Sequence, residues 1–364
     1  MSVSNSSLRY DPDYCDPPGE TLIEFLDEVG MSQAELARRT GFSVKHVNQI
    51  CQGMTSLTAD AAIRLERITN IRASTWLALE SNYQIFSSKQ SETEKLQGDL
   101  AWLRLFPVTQ LKARGWIQQS LQGVPLLRAV LNFFQVATPD AWNQVWATPT
   151  AYRVAKKYEP DYGALSSWIR IGELYSAREK LPEFDRDKFR EQLGVMRSLT
   201  NIVDPNVWLP QLRSLCFNCG VSLVIEKEIP GARVNGVVRW LQTGNPLIQL
   251  SLRHSWADIF WFTLFHEVGH LLLHDRKRLT LVDGIGMPAA DEEMEREADD
   301  FAGRTLIPKK YDGELLSVNT YDQVRALASK IGVHSGIVVG RLQHDGRLRW
   351  SQFNDLRVRF KFMD

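Results

Sequence analysis

Apolar residues along 20–72 recur every three or four positions and divide this segment into four short amphipathic helices. Gly30, Gly41 and Gly53 separate them, and Ser32 with Glu35 forms a capping box. A three-residue turn that begins at Gly41 joins the second helix to the third, which is the arrangement of a helix-turn-helix. The predicted helices are Thr21–Val29, Ser32–Thr40, Ser43–Gln52 and a fourth that begins at Thr58 or Asp60.

The middle of the chain has a different pattern. Residues 74–100 are polar enough for a linker, yet they lack proline, so a solvent-exposed connecting helix is an equal alternative. Residues 100–200 read as helical and are rich in aromatic residues, which we interpret as core. A role of this aromatic region in sensing or in binding a partner stays open.

From about residue 201 the pattern becomes mixed. Three short strands, Val221–Ile225, Val234–Trp240 and Leu247–Leu252, precede a continuous apolar run that predicts one buried helix, Asp258–Leu273. Ser255 and Asp258 form a capping box for this helix. The later predicted elements are a helix over Ala289–Arg304, a closing strand over Leu356–Phe362, and a second helix-turn-helix-like unit suggested by Leu327–Gly332, which echoes Leu36–Gly41.

These elements predict a mostly α protein with an α+β C-terminal part. We divide it into a flexible tail (1–19), a helix-turn-helix bundle with its connecting helix (20–99), a helical middle domain (100–200) and a C-terminal domain with a small β-sheet (201–364). The length of 364 residues agrees with two or three domains.

Composition and charge exclude several classes of protein. Lys plus Arg equals Asp plus Glu at 43 each, so no overall charge favours nucleic acid or membrane, and any basic patch is local. The longest apolar run is too short to span a bilayer, and the N-terminus lacks the layout of a signal peptide. Four cysteines are too few for a disulfide scaffold. We read the single C-x-x-C, Cys216 to Cys219, as packing, and we expect a cytoplasmic protein without membrane contact.

The apolar run contains the strongest chemical signal, His266-Glu267-Val268-Gly269-His270. Residues four apart leave a helix on the same face, so the two imidazoles can hold one cation. Glu267, beside them, is placed to accept a proton from a metal-bound water. This H-E-x-x-H spacing on a buried helix is typical of zinc peptidases, and after a small sheet it indicates a zincin-like domain whose exposed edge strand binds substrate backbone.

A catalytic zinc needs a third protein ligand, and the residues alone do not identify it. His274 continues the same face, but it lies eight residues after His266, which is a rise of about 12 Å along the helix. Because metal–ligand bonds are about 2 Å long, His274 cannot bind the same ion as His266. A longer metzincin pattern fails at Leu273 and Arg276. In the helix 289–304, Glu295 and Glu297 flank the apolar stripe about symmetrically, so both remain candidates. We assign structural or surface roles to His254, His334 and His344 rather than oxyanion stabilisation.

HEVGH followed by Glu295-Arg296-Glu297-Ala298-Asp299-Asp300-Phe301-Ala302 resembles the ImmA/IrrE family of metallopeptidases, and the resemblance extends over about 100–345. It implies that the glutamate before Ala298, Glu297, is the third ligand, with His266 and His270, of one zinc ion per chain, or of manganese as an alternative. Glu267 then acts as general base in peptide hydrolysis.

The N-terminal string MSQAELARRTGFSVKHVNQICQG resembles the phage-repressor-like (XRE) helix-turn-helix family, and its continuation to Glu80 resembles HigA-type antitoxins. In such folds the second helix enters the major groove. With Val47 and Ile50 in the core, the expected DNA contacts are Ser43, Lys45, His46, Asn48 and Gln49, and the resemblance adds Gln33. Residues 31–72 carry six bases against three acids, so a single copy should bind weakly and a homodimer on two-fold operator DNA is expected.

The leading hypothesis is therefore a DNA-binding transcriptional regulator with its own zinc endopeptidase, which cleaves a repressor-type protein or itself. The first rival is a HigA-like antitoxin or autorepressor of a toxin–antitoxin or defence operon. It would act by binding a cognate toxin, with the metal site structural or inactive. A second rival is a metal-dependent sensor whose aromatic middle domain binds an activating ligand.

Overall fold

The computed structural model describes residues 14–146, 161–251, 255–274 and 288–360, with side chains in the last range from residue 293 onward. The chain divides into two compact units, Met1–Leu100 and Ala101–Asp364. Most of the predicted tail, His254 and the last two residues of the predicted closing strand lie outside the described residues. Residues 101–200, predicted as a separate domain, belong to the same unit as the C-terminal part.

The first unit is a helical bundle built as the apolar spacing predicts. Leu22, Leu36, Val47 and Leu65 are fully buried in its core, together with Trp76. Gly19 lies so close to the end of the third helix that an added Cβ would meet the carbonyl oxygen of Ile50 at 2.2 Å. The helices are α1 (Pro18–Glu28), α2 (Gln33–Thr40), α3 (Val44–Cys51), α4 (Ala59–Thr69) and α5 (Ala73–Gly98).

Side-chain caps set the starts of these helices. The Ser32 hydroxyl accepts the backbone N–H of Glu35 at 3.2 Å, and Thr58 caps α4 in the same way. Only half of the predicted capping box forms, because the Glu35 carboxylate instead pairs with Arg38 and Arg39. Residues 73–98 form one helix, α5, which decides between the linker and the connecting helix in favour of the helix.

The second unit begins with helices packed through aromatic side chains. Trp102, Phe106 and Phe134 surround Trp142, whose ring lies edge-on to Phe106 at a centroid distance of 4.8 Å. All four are buried, as are Phe133, Trp146 and Trp168, which confirms the interpretation as core for these residues. Tyr175, by contrast, is exposed, and Trp116 is only partly buried. The helices are α6 (Val108–Ala113), α7 (Gly123–Phe134), α8 (Pro139–Trp146), α9 (Tyr162–Ser176), α10 (Arg186–Glu191), α11 (Leu193–Ser198) and α12 (Pro205–Asn218).

A three-stranded sheet follows, close to the predicted bounds. The strands are β1 (Ser222–Glu226), β2 (Gly236–Trp240) and β3 (Pro246–Ser251), in the order β1-β3-β2. β1 runs parallel to β3, with Val224 opposite Gln249, and β2 runs antiparallel to β3, with Val238 opposite Ile248. The central strand β3 is buried along its whole length, whereas β2 is half-buried and forms an edge of the sheet.

Two long helices follow: α13 (Ala257–Leu273), which packs on β2 and β3 of this sheet, and α14 (Pro288–Leu306), which packs on α13. The predicted capping box of α13 is wrong. The N-cap is Trp256, without a side-chain cap, and Ser255 has a left-handed backbone (φ 56°). Asp258 does not reach back to the helix start, because its carboxylate binds the guanidinium of Arg357 at 2.7 and 3.1 Å.

The C-terminal helices are α15 (Asp312–Ser317), α16 (Tyr321–Ile331) and α17 (Ser335–His344). Short 3₁₀ turns lie at Leu100–Leu105, Leu199–Asn201, Lys309–Tyr311 and Asn354–Leu356. A three-residue turn that begins at Gly332 (φ 83°) joins α16 to α17, as the sequence echo suggests. However, Ile337, Val338 and Val339 of α17 are buried, and α17 packs on α13 rather than offering a surface to DNA.

The predicted closing strand is wrong over its described part. Residues 354–356 form a 3₁₀ turn, and Arg359 makes one isolated antiparallel bridge with Trp256. The alternation of apolar and basic residues there reflects Phe360 in the core and Arg357 on Asp258. Among the described residues, no helix is long and apolar enough to cross a membrane.

Candidate metal centre and nucleic-acid interface

Helix α13 positions the H-E-x-x-H residues because it is apolar on nearly every side and therefore buried. Trp261, Leu264, Phe265 and Val268 are fully buried around it. His266 is partly exposed and His270 is 3% exposed, so the two imidazoles lie on one strip of the helix at the boundary of the core.

A contact between small residues brings α14 to this strip. A Cβ added at Gly269 would lie 3.2 Å from the Cα of Ala298, and Ala298 is fully buried. Helices approach this closely only where no side chain separates their backbones. The carboxylates of α14 next to Ala298 therefore reach the histidines of α13.

Two imidazoles and one carboxylate converge at one point. The Nε2 atoms of His266 and His270 are 3.0 Å apart; the first lies 3.2 Å from Oε2 of Glu295 and the second 3.2 Å from Oε1. Tetrahedral zinc with bonds near 2.0–2.1 Å has ligand atoms about 3.3 Å apart. Among the described residues, His266, His270 and Glu295 are the group whose spacing and chemistry fit a metal ion.

The structure brings Glu295, not the predicted Glu297, to the two histidines. Glu297 binds Nε2 of His274 at 3.0 Å, one helical turn further along α13. Periodicity left the two glutamates equivalent because it gave every apolar residue of α14 the same weight. Burial shows which face of α14 packs: Ala298 and Ala302 are both fully buried. At about 100° per residue, Glu295 lies about 40° from the midpoint of these two alanines, whereas Glu297 lies about 120° from it.

Each histidine also has a partner for its other ring nitrogen. Nδ1 of His266 lies 2.8 Å from the carboxylate of Asp299, and Nδ1 of His270 lies 3.0 Å from Nδ1 of His274. Partners of this kind fix the tautomer and orientation of metal-binding histidines. The spacing of residues along the sequence predicts neither of these two partners.

The electrostatics of the group favour a positive charge within it. Burial lowers the pKa of His266, but hydrogen bonds to Asp299 and Glu295 outweigh burial and raise the pKa to about 10. Burial raises the pKa of Glu295, but its hydrogen bonds with His266 and His270 leave the pKa well below its usual range. A metal ion at this point must displace a proton from His266.

Glu267 lies beside the group and against the edge of the sheet. Its side chain is 7% exposed, and a Cβ added at Gly236 of β2 would lie 2.8 Å from its Oε1. Glycine at this position therefore makes room for the carboxylate between α13 and the edge strand. The arrangement places a buried carboxylate next to the three converging side chains and next to β2, an edge strand of the described sheet.

The other described histidines and cysteines considered from the sequence lie at a helix cap, at the surface or in the core. His334 is the N-cap of α17, where its Nδ1 accepts the backbone N–H of Gly336 at 3.1 Å. His344 is exposed at the end of the same helix. Cys216 and Cys219 are free, buried thiols, and burial raises the pKa of both.

The helix-turn-helix presents most of its expected DNA contacts on one helix. Ser43 caps α3 by accepting the N–H of His46, Lys45 is exposed, and Gln49 is partly exposed. Asn48 donates its amide N–H to the side-chain oxygen of Gln33 at 3.3 Å, which brings the one predicted contact from α2 to the face of α3. Val47 and Ile50 are buried, as predicted.

Comparison with known proteins agrees with both parts of the chain. A family model described as the IrrE N-terminal-like domain, a peptidase family, matches residues 223–343, and a helix-turn-helix model matches residues 22–76. The chain therefore carries an IrrE N-terminal-like domain and an XRE-type helix-turn-helix domain. The first match runs from β1 to α17 and includes the whole converging group.

Two individual proteins are similar to the N-terminal part of this chain. Virulence-associated protein I of Dichelobacter nodosus is 33% identical over 76 residues, which are 21% of this chain and 70% of that protein. The structure of an addiction module antidote protein of a HigA family from Coxiella burnetii is 31% identical. The match covers 23% of this chain and 91% of that chain, with a TM-score of 0.22.

Proposed function

We propose that this protein is a DNA-binding regulator whose IrrE-type domain is a metal-dependent endopeptidase. The observation that supports it is the convergence of His266, His270 and Glu295 beside the buried carboxylate of Glu267. A structural zinc site is closed by four protein ligands, whereas three ligands and one open position are typical of a catalytic site. We expect one zinc ion per chain, with manganese as the alternative metal.

The protein residues take the following roles in this proposal. His266, His270 and Glu295 hold the ion, and Glu267 accepts a proton from the attacking water and later donates it to the leaving amine. When bound, the ion supplies Lewis acidity, which lowers the pKa of a water molecule towards neutrality and polarises a carbonyl group. Asp299 holds His266 with Nε2 unprotonated, so that its lone pair faces the ion.

The substrate in this proposal is a polypeptide bound in extended form. β2 is an edge strand of the described sheet, and its first residue, Gly236, touches Glu267. A peptide that adds to this edge by main-chain hydrogen bonds would run past the general base. The XRE-type helix-turn-helix domain at the head of this chain, joined to an IrrE-type domain, favours a repressor-type protein or a second copy of the chain as substrate.

The decisive experiment compares the wild type with Glu267→Gln. Each full-length chain is incubated with zinc and with purified XRE-type repressors encoded by the same genome, and products are identified by mass spectrometry. We expect cleavage by the wild type, none by Glu267→Gln, and equal zinc content in both. Cleavage that Glu267→Gln leaves unchanged would refute the proposal. Equal regulation by both proteins without any cleavage would favour the binding-only, HigA-like alternative.

The DNA-binding part has its own test. We propose that two copies bind a two-fold operator through α3, because one unit with few unpaired basic residues neutralises few phosphates. Footprinting upstream of the gene should find a palindrome with half-sites one helical turn apart, or a multiple of it. Binding of a single chain to an asymmetric site, shown by analytical ultracentrifugation of the complex, would refute the dimer.

A further inference from the structure

We propose that His274 and Glu297 are positioning residues that orient His270 through a two-step hydrogen-bonded relay. The family resemblance implies that Glu297 is a metal ligand, so its contact with His274 requires another explanation. This inference rests on the proposed metal site. It adds that the affinity of the site depends on two residues that do not touch the ion.

The relay runs through the buried end of α13. Nδ1 of His270 lies 3.0 Å from Nδ1 of His274, and Nε2 of His274 lies 3.0 Å from a carboxylate oxygen of Glu297. His270 and His274 are 3% and 6% exposed, whereas half of the Glu297 side chain is exposed. The chain of contacts therefore leads from the buried histidine of the site to a carboxylate at the surface.

Proton positions follow from the chemistry of the groups. An ionised carboxylate only accepts hydrogen bonds, so Nε2 of His274 carries the proton that it donates to Glu297. In neutral His274 the other nitrogen, Nδ1, is then an acceptor, and Nδ1 of His270 must be the donor. A neutral His270 protonated at Nδ1 has its lone pair on Nε2, the atom that faces His266 and Glu295.

The two metal-facing histidines thus reach the same tautomer by different routes. His266 donates from Nδ1 directly to Asp299, whose side chain is 58% exposed. A carboxylate placed directly on His270 would be buried among the residues at the end of α13, where an ionised group is costly. His274 avoids this cost because a neutral imidazole extends the contact to a carboxylate that stays in water.

The local backbone allows His274 to take this place. His274 is the C-cap of α13 and has left the helical conformation (φ −105°, ψ 149°), while its N–H still bonds to the carbonyl oxygen of His270 at 3.2 Å. A residue inside a continued helix would point its ring along the strip of α13. At the cap the ring turns back onto His270, with the two ring centroids 5.1 Å apart.

The test measures zinc affinity of the full chain by competition with a chromophoric chelator, and the visible spectrum after cobalt substitution. His274→Leu removes the relay, His274→Gln keeps a side-chain acceptor, Glu297→Ala removes the carboxylate, and Asp300→Ala is the matched control on the same helix. We expect His274→Leu to weaken zinc binding about 10–100-fold and to shift the cobalt bands. We also expect partial rescue in His274→Gln, a smaller loss in Glu297→Ala and no change in Asp300→Ala.

The relay also predicts coupling between its members. Because Glu297 acts through His274, the double variant His274→Leu/Glu297→Ala should bind zinc no more weakly than His274→Leu alone. Circular dichroism checks the fold of each variant, and Glu297→Gln, a surface change, keeps the test valid if His274→Leu does not fold. It should lose affinity less than Glu297→Ala, because its amide oxygen still accepts the hydrogen bond.

The outcomes separate this inference from the proposed function. Unchanged zinc affinity in folded His274→Leu and in Glu297→Ala overturns the relay and leaves the metal site intact. A loss in Glu297→Ala far greater than that in His274→Leu also overturns it, because Glu297 would then be a ligand. A wild type that takes up no zinc overturns the proposed function, and the relay with it.

Discussion

Replacement of Arg357 by methionine should strongly destabilise the second unit. Arg357 binds both oxygens of Asp258, at 2.7 and 3.1 Å, and the two side chains are 5% and 8% exposed. The guanidinium also lies over the ring of Trp256, with its central carbon 4.2 Å from the centroid. This pair ties the segment after α17 to the first turn of α13, the helix that carries the metal-facing histidines.

The size of the effect follows from burial. Loss of one partner leaves the other charge uncompensated in the core, which costs about 3–5 kcal/mol. For a domain of this size that cost lowers Tm by roughly 6–20 °C. Burial raises the pKa of Asp258, and Arg357 opposes this shift only in part, so the pair itself contributes little net stability. Asp258→Leu/Arg357→Met should therefore cost much less than the sum of the two single changes.

The assay is thermal unfolding of the wild type, both single variants and the double variant, followed by circular dichroism at one protein concentration without added metal. Arg357→Lys is an informative fifth protein, since an ammonium group cannot bind both carboxylate oxygens side by side. Single variants that unfold within 2 °C or so of the wild type would refute the reasoning, as would additive losses in the double variant.

Three further predictions concern activity, acid stability and DNA binding. Gly236→Ala should lower the rate of peptide cleavage without reducing zinc content, because the new Cβ displaces Glu267. Gly194→Ala is the control: nothing lies within 4 Å of its added Cβ, so the rate should stay unchanged. Burial lowers the pKa of His334, so above about pH 6.5 its side chain is neutral and caps α17 fully. The free energy of unfolding should fall as the pH drops below that value. In unfolding experiments at several pH values, His334→Asn should reduce this fall. Asn48→Ala should weaken operator binding about 5–150-fold in a gel-shift assay at fixed salt, and undiminished binding would exclude a base contact.

Much of the fold could be predicted because its signals are local. Glycines at helix ends and hydroxyl caps such as Ser32 and Thr58 set the helix bounds of the first unit to within a few residues. The strands and α13 were predicted equally well, since a run of apolar residues bounded by turns is self-contained. The predictions at Ser255 and over residues 356–360 were wrong for a common reason: Asp258 and Arg357, 99 residues apart, bind each other, so Asp258 does not cap its helix and Arg357 is not part of a strand.

The part of the candidate site that lies on one helix could be predicted from the sequence, and the part on the second helix could not. His266, Glu267 and His270 lie on one helix, so their spacing alone predicts that they act together. The glutamate comes from another helix, and its identity depends on how α14 is rotated against α13. That rotation is set by the contact of Ala298 with Gly269, a tertiary feature that helical periodicity does not contain. The metal, the substrate and the dimer stay predictions.

The Gly269–Ala298 contact also bears on attempts to transfer the proposed metal site to another scaffold. A designer who copies only the two histidines and the glutamate onto a helix pair would obtain backbones too far apart for the carboxylate to reach. Gly269 and Ala298 allow the two helix backbones to approach closely, so both residues must be transferred together with the donor residues. A search of unrelated helix pairs for this site should therefore require a small residue before the second histidine and another three positions after the glutamate.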